Sequence, residues 1–452
     1  MERAQENATG RDWIDKLLSQ PVLTWVLLGF LISYLFFYLW PIFLRAEGMI
    51  FPLYIPVIRP GGADLLDRVN SSKSLLLEHR ATFMGGDFHP PLTALLFAPF
   101  LLISHREGYD LISLVTIACY AVSTLWFARR ASRTKRVTPL LLLLAVTGFL
   151  SYGFQFQLER GQCDVITMTL ALVAVALFYW HPRLRPVSYL LLTLAIQVKL
   201  YPAILALALV AHWRDWKREG LRILGILAFS VACLFALGPE AFLQFLTSIR
   251  AQVLQINPTW RGNHSAASFA WQLLPSHAGL LEVAILVMVV AILGCAIWRV
   301  RAQRTPGLDP YLLLVCFIAA LVIPSISNDY TLPILVAPLA LFFDAVVPPC
   351  RGRIRAGLAD GLLFLMGLAY SCTLFSYTNK TTFPFLGQGI SPLIENNFLP
   401  LLLVLLAATA LVGLGFLPLP ERETGDAPES PQHPPQAAVA RAGVDPIRIP
   451  NG

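Results

Sequence analysis

The sequence is poor in charged residues and in the motifs that mark soluble enzymes. Only 13% of its 452 residues are charged, whereas 56% are hydrophobic. It contains no P-loop, GxGxxG, HExxH or GxSxG pattern, which leaves nucleotide-driven transport and the common hydrolase mechanisms without support. An ordinary soluble domain is excluded as well, because the apolar runs are too long and too numerous.

The cysteines and the basic residues exclude two further classes of protein. The seven cysteines are scattered, without CxxC or Cys/His spacing, so they imply neither a disulfide framework nor a metal site. The net charge of +7 comes from short basic runs at the ends of apolar segments. This is the positive-inside pattern, so the charge indicates orientation and not a nucleic-acid partner. We expect no cofactor.

Apolar segments recur along most of the chain, from residue 21 to residue 417. About 20 mostly apolar residues are needed for a helix to cross about 30 Å of hydrocarbon. The sequence therefore predicts an all-α polytopic membrane protein, a bundle of about twelve transmembrane helices. We expect a cytoplasmic head at residues 1–20, a membrane domain at 21–417 and a disordered cytoplasmic tail at 418–452.

The basic runs place two long loops, 45–108 and 238–279, on the outer side of the membrane. In the first loop, residues 63–80 predict an amphipathic helix that lies flat on the outer leaflet, and residues 91–104 also lie along that surface. One side of the amphipathic helix is apolar and the other is charged. The apolar side carries Leu65, Leu66, Val69 and Leu76.

The segment 186–212 has basic runs at both ends but is only long enough for one crossing. Because both ends should be cytoplasmic, we predict two short helices that run out and back. The break falls at VKLYP, with Pro202 as the helix breaker and Lys199 at the outward tip.

This topology gathers many polar residues at the outer face. They are Asp64, Asp87, His89, Glu159, Arg160, Gln162, Asp164, Lys199, Tyr201, Arg261, Asn263, His264, Asn328, Asp329 and Glu395. Polar groups are costly at membrane depth and usually mark a pathway or a site. A site that opens outward and lacks a nucleotide-binding fold suits a substrate carried on a lipid.

Sugar transfer from a lipid phosphate needs a general base for the acceptor hydroxyl and cations for the departing phosphate. The bases on offer are Asp64 and Asp87, and the cations are Arg160, Lys199 and Arg261. The two carboxylates also have structural interpretations. Asp64 can cap a helix, and Asp87 follows two glycines in a sequence typical of a turn.

Four other candidates also have structural interpretations. Asp164 suits a helix start, where the helix dipole favours an acid. Arg160 can pair with Glu159, and Lys199 can extend its ammonium to the membrane interface. His89 can be a packing residue in place of an acid catalyst.

Six motifs follow one another from about residue 64 to residue 341. They are GGAD, HPPLTALLFAPF, ERGQCDVITMTLALVAVAL, LAIQVKLYPAILALALV, GNHSAASF and SNDYTLPILVAPLAL. Their order and spacing resemble glycosyltransferase family 87, a branch of the GT-C superfamily. The resemblance implies a GT-C-like bundle, and a bacterial inner-membrane enzyme with an extracytoplasmic site. Its donor would be a polyprenyl-phosphate sugar, mannose-like, and its acceptor a glycolipid or glycan among membrane lipids.

The resemblance also implies roles for particular residues. Asp64 would be the catalytic base, His89 would shape the pocket floor, and Gln162 and Lys199 would contact the donor sugar and phosphate. The residues of GNHS and SNDY that would complete the cavity wall are Asn263, His264 and Asp329. To the substrate contacts we add Asp87, Arg160, Asp164 and Tyr201.

The chain departs from the family pattern at two positions. His89 stands where an aromatic residue often precedes the proline pair, and Asp67 stands where a tyrosine often follows the first aspartate. Asp67 and Asp87 therefore remain alternatives to Asp64 as the base.

A rival function is a transporter or flippase of lipid-linked sugars. Transporters of this kind usually have internal repeats that relate their halves, and we find no convincing repeat in the sequence. A catalytically inactive assembly subunit is a third possibility, but it would leave the outer polar cluster unexplained.

Overall fold

A computed structural model of the chain describes residues 21–39, 61–78, 89–132, 135, 137–210, 213–255, 260–301, 307–346, 353–376, 380 and 391–417. These residues are mostly helical and contain no strand, only an isolated bridge between Asn263 and Asn328. The predicted head and tail lie outside the described residues. The helical fold class is confirmed.

The helices before the VKLYP break are α1 (Pro21–Tyr34), α2 (Ala63–Leu76), α3 (Thr93–Phe97), α4 (His105–Ala121), α5 (Pro139–Phe149), α6 (Tyr152–Arg160), α7 (Asp164–Trp180) and α8 (Arg185–Val198). Those after it are α9 (Trp216–Cys233), α10 (Pro239–Gln255), α11 (Ala266–Leu273), α12 (Ala278–Arg301), α13 (Pro310–Val322), α14 (Val336–Ala345), α15 (Arg353–Cys372), α16 (Ser391–Glu395) and α17 (Phe398–Gly413). The 3₁₀-helices are Ala98–Leu102, Pro182–Leu184, Tyr201–Ala208, Trp213–Asp215, Pro275–His277 and Asp329–Leu335. Helix α4 continues through a π-helix, Val122–Phe127, and a last turn, Ala128–Ala131.

Within the described residues, three helical stretches are long and apolar enough to cross a membrane. They are His105–Ala131, Pro275–Arg301 and Ile354–Cys372. Helices α5 and α6, bent by 47°, make a fourth if they count as one span. The expected twelve crossings are therefore not confirmed. The reason is length, because α7 has 17 residues and α13 has 13, which correspond to about 26 and about 20 Å.

Helix α12 shows why the bundle suits a lipid surrounding. Its inward side buries Ile285 and Val289, whereas its outward side leaves Val283 and Val287 more than half exposed. A helix that is apolar on both its packed and its exposed side is typical of a membrane span.

Helix α13 forms the buried centre of the bundle. All of its residues from Tyr311 to Val322 are buried. Its start is fixed by Asp309, whose side chain accepts from the backbone N–H of Leu312 and pairs with Arg299 of α12. Its end leads through residues 323–328 into the buried 3₁₀-helix Asp329–Leu335. This connection forms part of the candidate site.

The predicted break in the segment 186–212 is present. Helix α8 ends at Val198, Lys199 is extended with φ −149° and ψ 137°, and the 3₁₀-helix Tyr201–Ala208 follows. Pro202 lies in the first turn of that helix, where its missing N–H costs no hydrogen bond.

The two arms on either side of the break run along α7 in opposite directions. Arg185, at the start of α8, donates from Nε to the carbonyl of Phe178 near the end of α7. The second arm returns to the same end, because the hydroxyl of Tyr179 donates to the carbonyls of Ala208 and Val210 at 2.9 and 3.0 Å. Lys199 is therefore at the opposite end of α7, beside its first residue.

Helix α2 packs with a different side than its hydrophobic pattern predicts. Apart from Leu65, its buried side chains are polar: Arg68, Ser71, Ser72 and Ser74. Arg68, which is not on the apolar side of the pattern, is nevertheless only 1% exposed. The cause is tertiary, since Arg68 donates to polar groups of residues 161 and 162.

Helices α1 and α15 approach each other at glycines, and this contact gives a test of the packing. A Cβ added at Gly367 of α15 would lie 2.7 Å from the Cα of Val26 in α1, whereas one at Gly361 would meet nothing within 4 Å. We expect Gly367→Ala to lower the thermal unfolding temperature in detergent, because overpacking costs about 1–3 kcal/mol. Gly361→Ala on the same helix should leave that temperature equal or higher. Equal effects of the two changes would contradict this close approach.

Candidate functional site

Two glycines in the left-handed region bring the start of α2 against the loop between α6 and α7. Gly62 has φ 80° and Gly161 has φ 64°. The N–H of Gly62 donates to the carbonyl of Glu159 at 2.7 Å. A Cβ on Gly161 would lie 3.3 Å from the Cα of Gly62, so glycine meets both the backbone conformation and the available space. This contact places Asp64 next to the ERGQCD motif.

Asp64 is held from two sides and still reaches solvent. Its Oδ2 accepts a hydrogen bond from Nε2 of Gln162, and its Oδ1 lies 3.4 Å from Nη1 of Arg160. Its side chain is 26% exposed. Asp64 does not cap α2, because Gly62 is the N-cap residue and no side-chain cap is present. The structure thus leaves Asp64 accessible for chemistry.

Arg160 pairs with Glu159, as the sequence suggested, and also with Asp64. It lies 3.4 Å from Glu159 as well as from Asp64. Its guanidinium also lies over the ring of Phe156, 5.5 Å from the ring centre.

Arg68 is a candidate residue that the sequence reasoning missed. Its guanidinium donates to the carbonyl of Gly161 at 3.1 Å and to Oε1 of Gln162. The available signal was its spacing, since residues four apart on a helix lie on one face and Arg68 follows Asp64 at that distance.

Gln162 connects Asp64 to Lys199. Its amide nitrogen donates to Asp64, and its amide oxygen accepts from Nζ of Lys199 at 3.3 Å. Lys199 also lies 3.6 Å from Oδ2 of Asp164, whose other oxygen accepts from the hydroxyl of Tyr201 at 2.8 Å. Lys199 and Asp164 are 10% and 1% exposed at their side chains, so the ammonium does not extend away to the interface.

A cavity of about 360 Å³ lies against this group. His89, Asp164, Lys199 and Tyr201 belong to its lining, together with residues 325–328, Tyr330 and Thr331. Its apolar lining includes the side chains of Ile204, Ile249, Ile323 and Ile326. The cavity therefore combines a buried cation with a hydrophobic wall, as an amphipathic ligand requires.

Asn263, His264 and Asp329 are fully buried and lie behind the wall, outside the cavity lining. Nδ1 of His264 lies 3.2 Å from Oδ1 of Asp329. The amide oxygen of Asn263 accepts from the backbone N–H of Ser327 at 3.0 Å, which fixes the connection after α13. The structure thus brings these three residues together as support for the wall.

Arg261 and Asp87 are the two remaining candidates. Arg261 pairs with Glu395 at 2.9 Å, away from the group around Lys199. Asp87 lies outside the described residues. Among the residues that are described, no group of three or more His, Cys, Asp and Glu could hold a metal ion. The sequence reasoning also missed Tyr330, whose ring centre is 5.6 Å from Nζ of Lys199.

Comparison with known proteins agrees with the resemblance drawn from the motifs. The model of glycosyltransferase family 87 matches residues 88–324, which is just over half of the chain. No curated protein and no solved structure matches. The matched region contains the break at Lys199, the ERGQCD loop and the cavity lining from His89 to Pro324, and the chain accordingly belongs to glycosyltransferase family 87, as a membrane glycosyltransferase.

Proposed function

We propose that the enzyme transfers a mannose-like hexose from a polyprenyl phosphate to an extracytoplasmic acceptor, with a GT-C type of mechanism and Asp64 as general base. The observation that carries the proposal is the hydrogen-bonded series from Asp64 through Gln162 to Lys199. The accessible carboxylate of Asp64 and the nearly buried ammonium of Lys199 are thus joined by the single amide side chain of Gln162.

The cavity supports a lipid-phosphate donor. A polyprenyl phosphate has one charged group and a long apolar chain, and the cavity provides Lys199 beside isoleucine side chains. An ammonium in a site shielded from water stabilises the charge that develops on a departing phosphate. Asp164 pairs with that ammonium, and the hydroxyl of Tyr201 donates to Asp164.

Asp64 supports the other half of the reaction. It stands outside the cavity lining and is partly exposed, so an acceptor can reach it from a side the donor does not occupy. The acceptor oxygen attacks the anomeric carbon while Asp64 takes the acceptor proton. The bond from that carbon to the phosphate oxygen breaks, and its electron pair stays on the phosphate near Lys199.

The donor class is testable with the purified full-length chain in lipid nanodiscs. Mannosyl, glucosyl and arabinosyl polyprenyl phosphates, each radiolabelled, are supplied with a membrane lipid extract as acceptor pool. We expect label to enter product from the mannosyl donor and not from the matching nucleotide sugar. Transfer from the nucleotide sugar alone would contradict the proposal. So would movement of labelled donor across a vesicle membrane without any new glycosidic bond.

A further inference from the structure

A hydrogen-bonded series of three side chains runs from behind one wall of the cavity to its lining. It begins at Asp329, continues through His264 and ends at Ser327, which lines the cavity. Asp329 contacts Nδ1 of His264, and Nε2 of His264 lies 3.0 Å from Oγ of Ser327. His264 and Asp329 are fully buried, whereas Ser327 lines the cavity. The proposed transfer reaction gives this arrangement no role.

The carboxylate determines which nitrogen of His264 carries the hydrogen. A carboxylate only accepts hydrogen bonds, so Nδ1 is the donor and Nε2 of a neutral imidazole has a lone pair. The hydroxyl of Ser327 then donates to Nε2. The hydroxyl of Thr331 is 3.3 Å from Nε2, but it donates to the carbonyl of Asn328 at 2.9 Å and so does not compete.

Asp329 is itself held in position. Its Oδ1 accepts a second hydrogen bond from Asn397 at 2.9 Å, and Asn397 accepts one from the ammonium of Lys380. Lys380 is 2% exposed, and burial lowers its pKa to about 8. The carboxylate therefore cannot turn away from His264 without breaking this buried network.

The wall consequently offers a hydrogen-bond acceptor to the cavity at Ser327. With its own hydrogen committed to His264, the hydroxyl of Ser327 has lone pairs left for a ligand. Next to it, Nδ2 of Asn328 donates to the hydroxyl of Tyr330 at 2.8 Å, and Oδ1 of Asn328 is buried with no hydrogen-bond partner among the described residues. An acceptor in the cavity lining suits a ligand that brings hydroxyl groups.

We propose that Ser327 selects the donor sugar by accepting a hydrogen bond from one of its hydroxyls, with His264 and Asp329 as positioning residues. This rests on the proposed function. Lys199, assigned there to the phosphate, is 5.6 Å from the ring centre of Tyr330, and Tyr330 contacts Asn328. A sugar attached to that phosphate would thus reach the wall.

A panel of donor analogues tests the role of Ser327. Each hydroxyl of the mannosyl donor is replaced in turn by hydrogen or by fluorine, which cannot donate a hydrogen bond. At one position we expect both analogues to lose about tenfold in kcat/KM with the wild-type enzyme. Ser327→Ala should remove that penalty at this position alone. Ser325→Ala, the same change in the same cavity lining, should keep the penalty.

A second measurement does not depend on activity. The chain has eight histidines, and subtracting the nitrogen-15 solid-state spectrum of His264→Gln from that of the wild type isolates the signals of His264. We expect a protonated Nδ1 and an unprotonated Nε2. Protonation of Nε2 would overturn the inference, because Ser327 would then have to accept and not donate.

The outcomes separate this inference from the proposed function. If the wild type transfers nothing from any lipid-phosphate donor, the proposed function fails and the assignment of Ser327 to the donor sugar fails with it. If transfer occurs but Ser327→Ala keeps the full penalty at every hydroxyl, the inference about Ser327 alone fails.

Discussion

Asp64→Asn should lower the rate of sugar transfer about 10²- to 10⁴-fold, the range that a positioned general base contributes. The amide has the same shape as the carboxylate and keeps an oxygen for Gln162, so donor binding and folding should persist. The measurement is kcat with the polyprenyl-phosphate donor, together with donor affinity and the unfolding temperature. The expected loss lies in kcat.

Asp67→Asn is the matched control for this change. It makes the same substitution on the same helix, one turn further on, and it addresses the alternative base that the sequence left open. We expect transfer to continue in this variant. Loss of transfer in Asp67→Asn with retention in Asp64→Asn would exchange their roles, and loss only in Asp87→Asn would identify Asp87 as the base.

Lys199→Met should lower transfer about 10²- to 10³-fold, because the departing phosphate loses its charge partner in a water-excluded site. The same change leaves Asp164 as a buried carboxylate without its cation. Removing one member of a buried pair costs about 3–5 kcal/mol, so the free energy of unfolding should also fall. Activity and unfolding must therefore be measured on the same preparation.

A double variant separates these two effects. Lys199→Met combined with Asp164→Asn removes both charges, so it should recover most of the lost stability while transfer remains low. The amide can still accept from the hydroxyl of Tyr201. Recovery of transfer in the double variant would show that Lys199 acts only by neutralising Asp164, and would remove it from contact with phosphate.

The break at VKLYP is a feature of the fold that the sequence predicted. A proline in an apolar segment between two basic runs predicted the break and the return of the chain, because helix breaking and charge placement are local rules. The neighbours of Lys199 at that break were not predictable. Gln162, Asp164 and Tyr330 reach Lys199 only because α7 and the connection after α13 pack beside it.

Arg68 and Ser327 mark the limit of the sequence argument. The hydrophobic pattern of α2 gave no reason to expect a buried Arg68, but the side chain of Arg68 donates hydrogen bonds to residues 161 and 162 inside the protein. Nothing in SNDY distinguishes its serine, Ser327, whose importance comes from a histidine 63 positions earlier in the chain. Contacts between residues so far apart in the chain leave no periodic pattern in the sequence from which they could be predicted.

The amino-acid sequence alone determined that this is a helical membrane protein of the glycosyltransferase family 87 type, because composition, apolar run length and motif order are properties of the chain itself. It also determined which polar residues were candidates. Tertiary structure decided which of them meet. It set Asp64 apart from the cavity, buried Asp164 with Lys199 and placed His264 behind the wall, because burial and partnership depend on how distant helices pack.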